Sequence, residues 1–113
     1  PDHNADGRHD FRDLTVHSEL IHRLVDEDGD GIADKSTLFA EDFRTMLTGV
    51  AAGVHAERDR VFATIAPNVW MLRDTNGDGI SDERKAIATG FGVHVAYAGH
   101  NLHGPIMGPD GRI

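Results

Sequence analysis

A nine-residue acidic loop occurs twice in the chain, and this repetition limits the possible folds more than any other feature. DEDGDGIAD covers residues 26–34 and DTNGDGISD covers residues 74–82, so the two copies begin 48 positions apart. Loop positions 1, 3, 5 and 9 carry oxygen-bearing side chains in both copies: Asp26, Asp28, Asp30 and Asp34, then Asp74, Asn76, Asp78 and Asp82. The glycine at position 6 permits a sharp turn that points alternate side chains at one centre. Each loop is therefore predicted to bind a cation.

Calcium is the preferred ion for both loops. A calcium ion accepts six to eight oxygen ligands in flexible geometry, whereas magnesium demands a stricter octahedron and keeps several waters. The main-chain carbonyls of Ile32 and Ile80, at loop position 7, are expected to add one ligand each. Three or four carboxylates packed this closely repel one another unless a cation lies between them.

A third stretch, DHNADGRHD at residues 2–10, has related spacing. Its oxygen-bearing side chains are Asp2, Asn4, Asp6 and Asp10, with Gly7 at position 6. It lacks the glycine at position 4 and the isoleucine at position 7. We predict a further cation loop here, and the alternative is an acidic terminus without an ion.

An EF-hand is the first alternative for the two main loops. That motif closes with a bidentate glutamate at position 12, but this chain has Thr37 and Lys85 there. The flank VWML at residues 69–72 is short and apolar, which favours a strand and a hairpin turn. However, SELIHRLV (18–25) and TLFAEDFRTMLTG (37–49) have apolar residues at helical spacing, so a small helical EF-hand-like module remains an alternative.

The repeat extends beyond the loops and predicts an all-β fold. Apolar residues recur at the same 48-residue offset, as with Phe43 and Phe91. Strands are predicted at 49–54, 60–66, 68–73 and 84–89. Four antiparallel strands in a unit of this length are typical of a β-propeller blade. Residues 1–113 are thus interpreted as a single partial propeller domain, with one full blade at about 47–91 and parts of two others, and we expect it to be a piece of a longer protein.

Composition excludes several classes of function. The net charge of −8 argues against binding to nucleic acid or to anionic membrane surfaces, which require clustered lysine and arginine. The sequence contains no apolar run long enough to insert into a membrane. The absence of cysteine excludes disulfides and covalent haem attachment within these residues and is compatible with an extracytoplasmic location, periplasmic or extracellular.

An ordered series of motifs resembles one protein family. The series is D-x-D-G-D-G-x-x-D-K-S-T-L-F-A, D-T-N-G-D-G-I-S-D-E-R, T-G-F-G and H-N-L-H-G-P-I-M-G-P-D-G-R-I, between about residues 18 and 113. It is similar to the membrane-bound dehydrogenase propeller domain of planctomycete- and verrucomicrobium-type proteins, which is related to quinoprotein glucose and sorbosone dehydrogenases. The resemblance implies a secreted or periplasmic six-bladed propeller, with a cytochrome c domain or subunit, or a larger extracytoplasmic complex, as partner.

The resemblance also implies a chemistry. In the quinoprotein relatives a histidine shortly before the G-P-D-G turn takes a proton from a sugar or alcohol as hydride moves to the quinone PQQ. His100 and His103 are the two residues that match it, and an imidazole titrates in the range that suits base catalysis. For each of them the alternative is a polar histidine in a connecting loop. His94, His100 and His103 together could also ligate a metal or haem iron.

Two functions follow from these expectations besides the helical calcium module. One is a calcium-braced dehydrogenase that passes electrons to a cytochrome. The other is a non-catalytic, calcium-braced propeller that serves as a scaffold subunit. Trp70, the single tryptophan, is expected to pack within the blade.

Overall fold

The fold consists of two antiparallel β-sheets. The computed structural model describes residues 5–10, 12–16, 18–43, 51–91, 102 and 104–113. Its elements within these ranges are α1 (Asp13–Val16), β1 (Glu19–Val25), β2 (Lys35–Phe43), β3 (Ala51–Ala56), β4 (Val61–Ile65), β5 (Asn68–Arg73) and β6 (Glu83–Thr89). β1 and β2 form a two-stranded sheet, and β3 to β6 form a four-stranded sheet in chain order. The all-β prediction is therefore confirmed.

Short turns and β-forming side chains explain the four-stranded meander. β4 has the sequence VFATI and is buried along almost its whole length, as expected for a strand inside a sheet. A two-residue turn joins it to β5 in register from Val61–Leu72 to Ile65–Asn68. The strands predicted at 60–66, 68–73 and 84–89 are confirmed within one residue at either end. Of the strand predicted at 49–54, residues 49 and 50 lie outside the described residues, and β3 covers Ala51 to Ala56.

The helical EF-hand alternative is wrong for the flanks of the first loop. β1 and β2 stand where that alternative needs helices, and they pair from Val25–Lys35 to Glu19–Phe43. Helical spacing in these segments reflects instead the burial of Phe39 and Phe43 against the second sheet. Tertiary pairing therefore outweighs the local pattern. Residues 44–49 of the proposed second helix lie outside the described residues.

The 48-residue repeat is visible in backbone geometry. The β1–β2 hairpin corresponds to the β5–β6 hairpin, and both contain a register irregularity at the same place. The equivalent features are the pair Val25–Lys35 with Arg73–Glu83, and the register shift at Ile21/His22 with the one at Val69/Trp70. Just after the shift on the partner strand, Asp42 and Gly90 both have left-handed backbone, with φ of 70° and 99°. The two hairpins are thus copies of one structure. The first sheet (β1–β2) is called the first unit below, and the four-stranded sheet (β3–β6), which contains the second hairpin, is called the second unit.

The hydrophobic core lies between the two sheets. β2 contributes one side of it and β4 and β5 contribute the other; its buried members are Phe39, Ala40, Phe43, Ala63, Ile65 and Leu72. Ile65 and Leu72 are 1% and 0% exposed, which makes them the best-buried large apolar side chains among the described residues. Because both sheets supply its residues, the core couples the two structural units.

Polar contacts also join the sheets, and they come from the end of the second acidic loop and the start of β6. The Ser81 amide donates to the Phe39 carbonyl at 2.8 Å. The Arg84 guanidinium donates to the carbonyls of Glu41 and Asp42, and its central carbon lies 4.1 Å from the centroid of the Phe43 ring. The second unit therefore holds β2 through main-chain acceptors as well as through apolar packing.

No helix in the described part of the chain is long and apolar enough to cross a membrane.

Candidate metal centre

The first acidic loop joins β1 to β2 and is closed by hydrogen bonds from its own amides. The Gly29 and Gly31 amides donate to the two oxygens of Asp26, at 2.6 and 2.9 Å. The remaining contacts are Asp30 N to Asp28 at 3.1 Å, Ile32 N to Asp30 at 2.7 Å, and Glu27 N to Asp34 at 2.7 Å. All four predicted side-chain ligands are thus held by main-chain donors within one turn.

The second loop joins β5 to β6 and repeats this scheme position by position. The Gly77 and Gly79 amides donate to the two oxygens of Asp74, at 2.6 and 2.8 Å. The remaining contacts are Asp78 N to Asn76 at 2.9 Å, Ile80 N to Asp78 at 2.8 Å, and Thr75 N to Asp82 at 3.1 Å. The sequence match therefore encodes one loop structure built twice.

Two glycines in each loop are required by backbone conformation. Gly29 and Gly31 have φ of 79° and 89°, and Gly77 and Gly79 have φ of 81° and 88°. L-residues with a side chain rarely adopt this region. The left-handed turns bring the position-4 and position-6 amides back to the position-1 carboxylate, so the glycines determine where that carboxylate is held.

Electrostatics favour ionised carboxylates in both loops. Hydrogen bonds from the Gly31 amide, then the Gly29 amide, lower the pKa of Asp26 below its ordinary value of 3.8. The Gly79 amide does the same for the pKa of Asp74. Amide donors stabilise the charged form of a carboxyl group, so the carboxyl groups of Asp26 and Asp74 are anionic at neutral pH.

The first loop gathers three carboxylates in the described part of the chain. One oxygen from each of Asp26, Asp28 and Asp34 lies within 4.8 Å of the others, and all three residues are exposed. Asp30 is outside this group. In the second loop Asn76 replaces the aspartate at position 3, and its amide nitrogen donates to Asp78 at 3.2 Å. The first loop consequently carries more negative charge than the second, so repulsion among its carboxylates is stronger and a cation would relieve more of it.

The N-terminal stretch has the same turn in the half that the structure describes. Ala5 and Gly7, at positions 4 and 6, have φ of 58° and 82°. Asp6 accepts from the Arg8 amide at 2.9 Å, as Asp30 does from Ile32. Asp10 accepts a hydrogen bond from the amide of Arg12, two residues later in the chain, at 2.8 Å, whereas the equivalent Asp34 accepts from Glu27, seven residues earlier. The predicted ligands Asp2 and Asn4 lie outside the described residues.

The predicted catalytic residues His100 and His103 also lie outside the described residues, as does His94. The neighbouring G-P-D-G sequence forms a turn, in which the Gly111 amide donates to the Gly108 carbonyl at 3.0 Å. Trp70 packs edge-on against Phe43 of the first sheet, with ring centroids 5.7 Å apart, so this contact lies between the sheets, whereas packing within one blade was expected.

A cleft of about 580 Å³ opens beside the first sheet. Four consecutive residues of β1, from Ile21 to Leu24, line it, so the edge of that strand faces the cleft. The opposite wall is the β3–β4 turn, which includes Glu57 and Arg60. In the second unit the equivalent edge, that of β5, is occupied by β4.

Sequence analysis missed the contacts of Ser81 and Arg84 with β2. Ser81 is the eighth residue of the second loop and Arg84 follows that loop, whereas Ala33 and Ser36 stand at the equivalent positions of the first copy. The sequence feature that could have indicated the Arg84 contact is the difference at position 11, where the second copy has an arginine and the first has a serine. Without the fold, nothing indicated that the arginine faces carbonyls some 40 residues away.

The fold and its loops define a class of protein with repeated antiparallel β-units and acidic hairpin loops. Comparison with protein families identifies the family. Residues 2–113 match a domain of unknown function, DUF7133, and the chain belongs to that family. Comparison with curated proteins and with solved structures finds no match.

Proposed function

We propose that this chain is a segment of a β-propeller whose acidic hairpins bind calcium and brace the sheets. The supporting observation is the repetition of one complete hydrogen-bond scheme in residues 26–34 and 74–82, with side-chain oxygens at the same four positions. The four oxygen-bearing positions are kept in both copies although positions 2 and 8 differ, as a shared ligand would require.

The donor set is suited to a hard cation. Each loop offers only oxygen atoms, from carboxylates, from Asn76 in the second loop and from main-chain carbonyls. Calcium accepts such ligands in irregular geometry and fills the remaining positions with water. Three exposed carboxylates in the first loop supply the charge that a divalent ion neutralises.

The proposed role of the ion is structural. All side-chain ligands of a loop come from one hairpin, so a bound ion ties two adjacent strands together. The second loop has an additional effect, because Ser81 within it donates to the Phe39 carbonyl of the first sheet. An ion in the second loop therefore stabilises the contact between sheets, while an ion in the first loop stabilises its own hairpin.

Calorimetric titration of the metal-free chain with calcium tests the proposal. We expect one site in each of the two main loops, with residues 2–10 as the predicted third site. We expect the melting temperature to rise on saturation, since a ligand at a hundred times its dissociation constant adds about 2.7 kcal/mol. Asp26→Ala and Asp74→Ala should each remove one site, because each residue organises its loop. Asp59→Ala, an exposed acidic residue outside the loops, is the matched control. Wild-type heat signals in both loop variants would contradict cation binding by these hairpins.

The dehydrogenase function is proposed from the sequence resemblance. His100 or His103 would serve as the base toward a sugar or alcohol, in a secreted or periplasmic protein that holds PQQ and donates electrons to a cytochrome c partner. The test is oxidation of sugars and alcohols by the full-length protein after incubation with PQQ, with His100→Gln and His103→Gln compared with His55→Gln. Equal activity in all three variants would exclude a role for either histidine as base. Absence of turnover with every acceptor would favour the scaffold alternative.

A further inference from the structure

The molecule contains a covered and an uncovered version of the same surface. In the first unit, β2 presents Phe39 and Phe43 to the second unit, and these side chains are 8% and 4% exposed. Their cover consists of the core residues of β4 and β5, the Ser81 amide on the Phe39 carbonyl, and the Arg84 guanidinium over the Phe43 ring.

The equivalent surface of the second unit is exposed. Forty-eight positions later, Ile87 and Phe91 take the places of Phe39 and Phe43, and they are 45% and 38% exposed. The backbone that presents them has the same form, including the register shift and the left-handed residue at Gly90. The main chain at Phe91 is also held by a hydrogen bond, because its amide donates to the Pro67 carbonyl at 3.1 Å. The second unit thus offers a preformed copy of the surface that the first unit buries.

We propose that this surface, from Ile87 to Phe91, is the docking face for a further unit of the same repeat. The partner is defined by chemistry: an acidic hairpin whose position-8 amide donates to the Ile87 carbonyl and whose position-11 arginine lies over the Phe91 ring. The inference rests on the repeat architecture of the proposed function, and it is independent of cation binding.

A second copy of this chain fits the face less well than a separate unit does. Its first hairpin carries Ser36 at position 11, so it has no cation to place over Phe91. Its second hairpin carries Arg84, but that side chain is already engaged with Glu41, Asp42 and Phe43. A separate unit whose position-11 arginine is free can place that arginine over the Phe91 ring and donate to the carbonyls of Thr89 and Gly90, which are equivalent to those of Glu41 and Asp42.

An insertion tests the proposal without altering the existing units. A second copy of residues 44–91 is placed between Phe91 and Gly92, so the new junction, Phe91 followed by Arg44, reproduces the native junction of Phe43 and Arg44. The chain has no cysteine, so Ile87→Cys in the original unit gives a unique thiol whose labelling rate reports on exposure. A glycine–serine insertion of equal length is the control for chain length, and Val54→Cys, which is 59% exposed on β3, is the control for position.

We expect the repeat insertion to slow labelling at Ile87→Cys at least tenfold while Val54→Cys is unaffected. Arg84→Ala placed only in the inserted copy should restore part of the labelling rate. Equal labelling with the repeat and glycine–serine insertions would overturn the proposal. An inserted unit that stays unfolded beside folded original units would overturn it as well, because the docking face should template that unit. Calcium titration of the uninserted chain gives an independent result, so failure of cation binding is distinguishable from failure of docking.

Discussion

Truncation of the Arg84 side chain should directly weaken the contact between the two sheets. That side chain donates to two main-chain carbonyls of β2 and lies 4.1 Å from the Phe43 ring centroid. An exposed cation–π contact contributes about 0.5–1 kcal/mol, and a hydrogen bond adds about 0.5–1.5 kcal/mol net. Since the side chain is exposed, we take the low end of these ranges and expect Arg84→Ala to cost about 1–2 kcal/mol.

Trp70 supplies the assay for this prediction. It is the single tryptophan, and it lies 5.9 Å from the Arg84 guanidinium and edge-on to Phe43, so its fluorescence reports on the contact itself. Urea unfolding followed by this signal should give a lower midpoint for Arg84→Ala with an unchanged slope. Arg84→Lys should retain only part of the stability, because an ammonium group lacks the planar fork that donates to two carbonyls.

Lys85→Ala is the matched control, since it removes a neighbouring exposed cation. A double-mutant cycle of Arg84→Ala with Phe43→Leu should give a coupling of about 0.5–1 kcal/mol. If Arg84→Ala costs no more than Lys85→Ala, the structural role given to Arg84 is wrong. If its cost is the same in the Phe43→Leu background, the contact with the Phe43 ring contributes nothing.

Three further outcomes follow from the packing and the loop charges. Gly53→Ala should destabilise strongly, because a Cβ there would lie 2.6 Å from the Gly104 main-chain nitrogen; in thermal melts most of the cost should disappear when residues 104–113 are removed, leaving the contact with Thr64 Oγ1 at 3.0 Å. Leu72→Ala should lower the free energy of unfolding by about 2–5 kcal/mol in urea titrations, and a loss under 1 kcal/mol would mean that the core between the sheets is loose. The lowered pKa values of Asp26 and Asp74 add stability that is present above pH 3.8 and is lost as the pH falls through the folded-state values. Metal-free unfolding midpoints should therefore decline below about pH 4 in the wild type and decline less in the double variant with asparagine at both positions, and parallel curves would contradict the hydrogen-bond scheme.

The hairpin around the second loop was predictable because three local signals agree there. VWML is short and rich in strand-forming residues, the acidic loop marks its end, and the copy at residues 26–34 confirms the loop's boundaries. Around the first loop the signals conflict, since residues 18–25 and 37–43 have helical spacing yet form strands. The deciding energy there comes from burying Phe39 and Phe43 against residues more than 20 positions away, which no local window contains.

The turn geometry of the two acidic loops was predictable for a related reason, whereas the contact between the sheets was not. Oxygen-bearing side chains at positions 1, 3, 5 and 9 bond to amides within the same nine residues, so spacing alone determines their geometry. Arg84 instead reaches acceptors on another sheet, and those acceptors are main-chain atoms that leave no mark on the sequence.

The use of main-chain acceptors on β2 has a consequence for how such units can diverge. Ser81 and Arg84 recognise the carbonyls of Phe39, Glu41 and Asp42, which every amino acid possesses. Substitutions at the outward-facing positions of the receiving strand, Glu41 among them, should therefore be neutral toward the neighbouring unit as long as the strand keeps its path. The donor side is under a tighter constraint, because an arginine in the right place has no substitute in the backbone. Among members of the family, the strand that supplies the carbonyls should therefore change rapidly in sequence, while the position of the donating arginine should change slowly.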